Sequence, residues 1–245
     1  MSIWKDTTYR SDQKEIMDDL DLGGPMVIDA LDHIAAINKW LGGNMVTIKG
    51  IEKLLKNHSK NQEVIVIDLG CGNGDMLRQV ADFGRKRGYR FKLIGIDANP
   101  ATIKYARELS KNYEEIRYDQ QDIFSEEFQK VKYDVALCTL FLHHFNNDFI
   151  IKFVKALIGN ARKGVVINDL HRHPIAYILF KTISIFIKNH IVKTDGAISI
   201  LRAFKKPELE RFSKMLNLSS SINWCWAFRF QWIIYKKDTL KNTTY

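Results

Sequence analysis

The residues able to do chemistry in this sequence gather in a few short stretches of glycine, carboxylate and imidazole. The first is Asp68-Leu69-Gly70-Cys71-Gly72-Asn73-Gly74, which follows the unbroken apolar run Val64-Ile65-Val66-Ile67. Alternate glycines allow a tight turn and bring bare peptide N–H groups to a ligand at the start of the next helix. With a strand before it, a helix after it and an acid at the strand end, this loop points to a nucleotide-like ligand. Two further acids follow at comparable places, Asp97 in Gly95-Ile96-Asp97-Ala98 and Asp122 before Ile123. Titratable nitrogen is concentrated in His143-His144 and His171-Arg172-His173.

The elements that must position these residues can be read in order. Val64–Ile67 lacks polar alternation, which suits a strand covered on both faces as in a parallel sheet. Met76-Leu77 and Val80-Ala81 continue into a helix ending near Phe83-Gly84, and the basic run 85–90 reads as its solvated C-terminal end. Further strands are expected at 91–97, 116–118, 133–138 and 164–169. Helices are expected from Asn99-Pro100, with proline at the tolerant first position, and from Asn146-Asn147-Asp148. Strand alternating with helix predicts an α/β fold, a Rossmann-like doubly wound sheet. Residues 1–60 read as an N-terminal helical extension, broken at Gly42-Gly43, that caps the ligand edge. Residues 61–236 form the main domain and 237–245 a polar tail. Residues 175–192 read as one amphipathic helix in a lid-like insertion (about 174–200), since Lys181, Ser184 and Lys188 recur on one face. It lines a pocket or, alternatively, touches a membrane surface. Asp195-Gly196 reads as a turn, and two closing strands are expected around 222–226 and 230–235.

Composition excludes several classes. The chain has 245 residues, 46% of them hydrophobic, enough for a substantial core. Cys71, Cys138 and Cys225 are odd in number and lack metal-binding spacing, arguing against a disulfide framework and a zinc site; no metal is read from the sequence. No cationic start followed by an apolar run opens the chain, so a cytoplasmic protein is expected. The net charge of +9 suits solubility as well as an anionic partner.

Taken together, Asp68–Gly74, Gly95-Ile96-Asp97, Asp122-Ile123 and Tyr133-Asp134-Val135, in this order and spacing, resemble a class I S-adenosylmethionine-dependent methyltransferase. Over residues 62–236 the resemblance lies towards bacterial small-molecule enzymes that act on quinones and aromatic polyketides. It implies a seven-stranded sheet with the last strand antiparallel and S-adenosyl-L-methionine as cofactor. By resemblance, Gly70, Cys71, Gly72 and Asn73 would contact the methionine part, with Asp68 receiving its ammonium. Asp97, with Ala98 beside it, would accept the ribose hydroxyls, and a carboxylate there disfavours a phosphorylated ribose. Asp122 would accept the adenine amine and Ile123 would pack on the ring, while Thr139 closes the set from the fourth strand. A dinucleotide oxidoreductase fits less well, because the third glycine comes one position early.

Methyl transfer is an in-line displacement that depends on alignment, with a base needed only for a protonated nucleophile. His143, His144, His171 and His173 are the candidates for that proton, His144 and His171 foremost, and Arg172 could hold an acidic phenol. Thr139-Leu140-Phe141-Leu142 lacks the Asp/Asn-Pro-Pro-aromatic signature of base and glutamine methyltransferases, which argues against nucleic acid as substrate. The sequence reading is therefore methylation of a small hydrophobic, aromatic acceptor (phenolic, quinone-like or polyketide), O-methylation ahead of C-methylation. An RNA or protein methyltransferase and a non-catalytic cofactor-binding protein stay as alternatives, and the oligomeric state is left open.

Overall fold

The computed structural model describes residues 5–236 apart from positions 124, 126, 127 and 129; Phe124 and the expected tail lie outside the described residues. Seven strands, β1 (Glu63–Leu69), β2 (Arg90–Asp97), β3 (Ile116–Gln120), β4 (Tyr133–Thr139), β5 (Ala161–Leu170), β6 (Ser220–Cys225) and β7 (Arg229–Tyr235), form one sheet ordered β3-β2-β1-β4-β5-β7-β6. β1 to β5 pair in parallel, and β7 runs antiparallel between β5 and β6. Around the sheet lie α1 (Pro25–Trp40), α2 (Gly43–Leu54), α3 (Asp75–Arg87), α4 (Pro100–Leu109), α5 (Asn147–Asn160), α6 (Pro174–Ile183), α7 (His190–Arg202) and α8 (Lys206–Leu216).

The apolar run of β1 explains its own position. Val64 and Val66 enter the core shared with α2, α3 and α4, whereas Ile67 and Leu69 enter the core beneath α5 and α8. Each buried valine, leucine or isoleucine contributes about 1.5–3 kcal/mol, so a strand apolar on both sides is held from both sides. Capping is local: the Asn99 side chain accepts from Ala101 and Thr102 ahead of α4, and Asn146 accepts from Phe149 ahead of α5.

Five sequence expectations are corrected. α3 runs past Gly84 to Arg87, because Gly84 makes room for the Phe91 ring and Gly88, at φ 75°, supplies the left-handed end. Between residues 11 and 24 the chain holds only the short 3-10 turn Ile16–Asp18. Residues 175–192 are two helices, since α6 ends at Ile183 and Asn189 caps α7 while its amide reaches Met26 O and Asp29. Asp195-Gly196 is no turn but the middle of α7. Asp195 accepts the N–H groups of Ile16 and Met17, and Gly196 leaves space for Phe180. The N-terminal region also divides. α2 is a core layer, Gly50 lying so close to Val166 that a Cβ would come within 2.4 Å, while the segment before α1 packs on α7. Among the described residues no helix is long and apolar enough to cross a membrane.

Candidate active site

The loop after β1 is built for close approach. Gly70, Gly72 and Gly74 all adopt positive φ, at 66°, 53° and 76°. A Cβ on Gly70 would come within 2.2 Å of the Phe141 ring, and one on Gly74 within 2.0 Å of the Tyr118 hydroxyl. Backbone N–H groups of Gly70 and Cys71 donate to Ile96 O, which ties the loop to β2. Asp97 completes the junction, one oxygen accepting Gly72 N–H at 3.1 Å and the other Asn99 N–H at 3.0 Å. Asn73 turns towards α1, donating to Asp32 at 3.1 Å, and its oxygen accepts Asp75 N–H at the start of α3. Cys71 is buried behind the loop, its thiol pushed well up by burial and then by Asp97 and Asp68, which makes it a packing residue and no nucleophile.

Asp68 carries the strongest chemical signal in the loop. Its side chain is 2% exposed and Oδ1 has no hydrogen-bond partner. Burial, with the nearby Asp97 charge adding to it, pushes this carboxyl up to about 8. A buried carboxylate oxygen beside a second carboxylate is unfavourable until a cation satisfies it. Asp68 Oδ1 therefore fits the ammonium-bearing end of an adenosyl–methionine ligand. The other expected contacts are more dispersed. Asp122 is exposed at the exit of β3, Ile123 packs against the core, and Ala98 O accepts Gln120 Nε2 at 3.4 Å. Thr139 Oγ1 lies 3.1 Å from Thr47 Oγ1 of α2, and Thr47 in turn accepts Asn168 Nδ2.

Beyond β4, Leu140 at φ 52° turns the chain so that Phe141 covers Gly70 and the two histidines face the N-terminal segment. His143 is 2% exposed, and its Nδ1 lies 2.7 Å from Asp169 Oδ1 of β5. Burial alone would lower this imidazole, but Asp169 and Glu15 outweigh it and raise it to about 9. Asp169 is held below its usual range, burial being overcome by His143 and by the Leu170 N–H. His144 Nδ1 lies 2.7 Å from Asp18 Oδ1, whose other oxygen accepts from Arg202 at 2.6 Å. Glu15, Asp18 and Asp169 escaped the sequence reading. Only Asp169 had a signal, its place at the end of β5 beside the His171 cluster.

The second imidazole group divides. Trp224 Nε1 donates to His171 Nδ1 at 3.2 Å, so the neutral ring carries its proton on Nε2. Burial, then His173, Lys205 and Arg172, push His171 down to about 4. His173 caps α6 by accepting Ile175 N–H and stands, with His171, against Phe228. Arg172 is buried and paired within the protein. All five N–H groups are engaged, by Thr7 O, Thr8 O, Ala203 O and both oxygens of Glu208, leaving none for an acceptor phenol. It staples the N-terminal segment and α8 to the end of β5.

With the glycine loop, the strand-tip acids and the sheet order in place, comparison with known proteins decides the family. The family profile described as "Methyltransferase domain" matches residues 60–231. The chain belongs to that family. Residues 60–231 are a methyltransferase domain. Among curated relatives, a ubiquinone biosynthesis O-methyltransferase of Rickettsia felis is 27% identical over 161 residues, covering 64% of this chain and 61% of that protein. The protein-lysine N-methyltransferase EFM4 of Saccharomyces cerevisiae is 30% identical over 106 residues, 40% of this chain and 44% of that one. The methyltransferase chain thus spans about three-fifths of the length of the ubiquinone enzyme it matches. Of solved structures, the plantazolicin methyltransferase BpumL in complex with S-adenosylhomocysteine superposes with a TM-score of 0.63 at 15% identity, covering 84% of this chain and 89% of that one. Magnesium protoporphyrin IX methyltransferase from Synechocystis, with S-adenosylmethionine bound, gives 0.54 at 12% identity, covering 83% and 84%. These two likenesses concern the fold.

Proposed function

We propose that this methyltransferase acts on a small hydrophobic, aromatic acceptor carrying an ionisable oxygen, of the phenolic, quinone-like or polyketide class, with O-methylation ahead of C-methylation. The observation that carries this reading is the aromatic group at the carboxyl end of β5. His171, His173, Trp224 and Phe228 stand together there, and α6, which begins at once after His173, leaves Ile175, Leu179 and Ile183 exposed. Ligands of open α/β sheets bind outside the carboxyl ends of the strands, so an aromatic and apolar rim favours an aromatic ligand.

The bound cofactor supplies a methyl group on a positively charged sulfur. Asp68 would hold its ammonium, Asp97 its ribose, and Asp122 with Ile123 its adenine, while the absence of side chains at Gly70 and Gly72 leaves room for its methionine end. Phe141 on Gly70 and the N-terminal segment over His144 exclude water. His171 Nε2–H is the donor available to orient an acceptor oxygen, since its Nδ1 is taken by Trp224. His144, whose Nδ1 faces Asp18, leaves Nε2 to receive the acceptor proton. Arg172 has no part in binding.

A panel of phenols and quinols incubated with the enzyme and S-adenosylmethionine tests the reading. One acceptor or more should gain the mass of one methyl, with S-adenosylhomocysteine released. Methylation confined to RNA or protein lysine, with every phenol and quinol unchanged, would refute it.

A further inference from the structure

Among the described residues one set of metal-ligating side chains converges. It comprises Glu15, His143 and His144, whose donor atoms all lie within 4.8 Å of one another. Glu15 comes from the segment before α1, while the histidines sit on the turn after β4. Glu15 Oε1 lies 3.6 Å from His143 Nε2 and 3.9 Å from His144 Nδ1. Both Glu15 Oε1 and His143 Nε2 are buried without a hydrogen-bond partner, on side chains 5% and 2% exposed.

Two facts make this more than a crowded ion cluster. His143 Nδ1 faces Asp169 Oδ1 at 2.7 Å, which fixes the ring with its Nε2 towards the Glu15 oxygen, where an ion would take the place of the Nε2 proton. A carboxylate behind an imidazole is also the usual support for a metal-binding histidine, fixing its tautomer and raising its basicity. The spacing is the second fact. Glu15 Oε1 and His143 Nε2, 3.6 Å apart, are too distant for a good hydrogen bond. A single ion about 2.0–2.2 Å from each would subtend an angle of roughly 120°, close to tetrahedral.

We propose that Glu15, His143 and His144 form a site for a divalent transition ion of the zinc class, which clasps the N-terminal segment onto the exit of β4. Two imidazoles and a carboxylate are a donor set for zinc, cobalt or iron(II), not for the hard ions magnesium or calcium. Asp18, 2.7 Å from His144 Nδ1, is placed to become a fourth ligand once that nitrogen gives up its proton to bind the ion. The surrounding charges bear on affinity. Arg202 stands 3.7 Å from Glu15 Oε1 and opposes the ion, while Asp18 and Asp169 favour it. With the ion bound, His144 is a ligand and not a proton acceptor, so its role above belongs to the metal-free protein.

The full chain, stripped by chelator and returned to chelator-free buffer at pH 7.5, is titrated with Zn2+ by calorimetry and melted with and without the ion. One ion per chain is expected, with a raised Tm and an intense visible absorption when Co2+ is used instead, as four-coordinate Co2+ gives. Glu15→Gln keeps the side-chain shape and should bind about tenfold more weakly or worse, and Asp169→Asn about 10–100-fold more weakly as the second-sphere partner. No uptake by the wild type, a six-coordinate Co2+ spectrum, or equal uptake by wild type and a folded Glu15→Gln would overturn the proposal. S-adenosylhomocysteine binding is measured on the same samples. If it persists while zinc binding is absent, only the metal site falls and the methyltransferase reading stands.

Discussion

Replacing Asp68 with Asn should stabilise the cofactor-free protein and weaken its hold on the cofactor. Asp68 is fully enclosed, Oδ1 is unpartnered, and burial with the Asp97 charge lifts its carboxyl from 3.8 to about 8. A carboxyl raised in the fold contributes its full stability below pH 4 and loses it as pH rises towards 8. At about 1.4 kcal/mol per pH unit, that loss has an upper limit near 4 kcal/mol at pH 7. Relaxation of the loop and entry of water reduce it, so a gain of about 1–3 kcal/mol for Asp68→Asn is expected. Urea denaturation of the cofactor-free proteins at pH 5 and pH 7.5 checks both sign and slope, because the advantage of the variant should widen with pH. S-adenosylhomocysteine affinity by calorimetry should fall at the same time, since the amide cannot balance an ammonium. A variant no more stable than wild type at pH 7.5, or one whose cofactor affinity is undiminished, would refute the reasoning. A stability gain bought by loss of function is what strained binding sites are expected to show.

Other outcomes follow from the same geometry. Asp97→Ala removes the acceptor for Gly72 N–H and the carboxylate offered to the ribose, so calorimetry should find S-adenosylhomocysteine bound about tenfold more weakly or worse; equal affinity would contradict the role given to this strand tip. His171 is depressed to about 4 by burial first, so its contribution to stability, present above pH 6.5, should fade as pH drops to 4; at its half-exposed position this is about 1 kcal/mol, read as the flattening of the stability–pH curve in His171→Gln. Arg172→Ala leaves Glu208 and three carbonyls unpaired, and urea melts should show a loss of about 3–5 kcal/mol, whereas KM for any acceptor found should change little in the folded fraction.

The sheet, its helices and the glycine loop were legible because their signals are local. Val64–Ile67 declares a doubly covered strand, Asn99-Pro100 a helix start, and Gly70, Gly72 and Gly74 a turn, each through backbone and burial preferences of adjacent residues. Where a local rule failed, a distant partner had intervened. Asp195-Gly196 has a turn's composition, yet Asp195 is used by Ile16 and Met17 from the far end of the chain, and Gly196 by Phe180. Gly84 has the look of a helix end but serves the Phe91 ring.

The imidazoles show the same division most sharply. Their presence was plain in the sequence, and so was their place at the ends of β4 and β5. What each can do depends on partners brought from elsewhere. Asp169 and Glu15 charge His143, Asp18 holds His144, Trp224 fixes the proton of His171, and Glu208 with three carbonyls consumes Arg172. By itself the sequence determined the methyltransferase fold and the loop for the donor, since those rest on residues a few positions apart. Tertiary structure alone decided the protonation and the partners of the acceptor side. A pKa or a free lone pair is set by charges within a few ångströms in space, and these lie far apart in the chain, as Glu15 and His143 do at 128 positions.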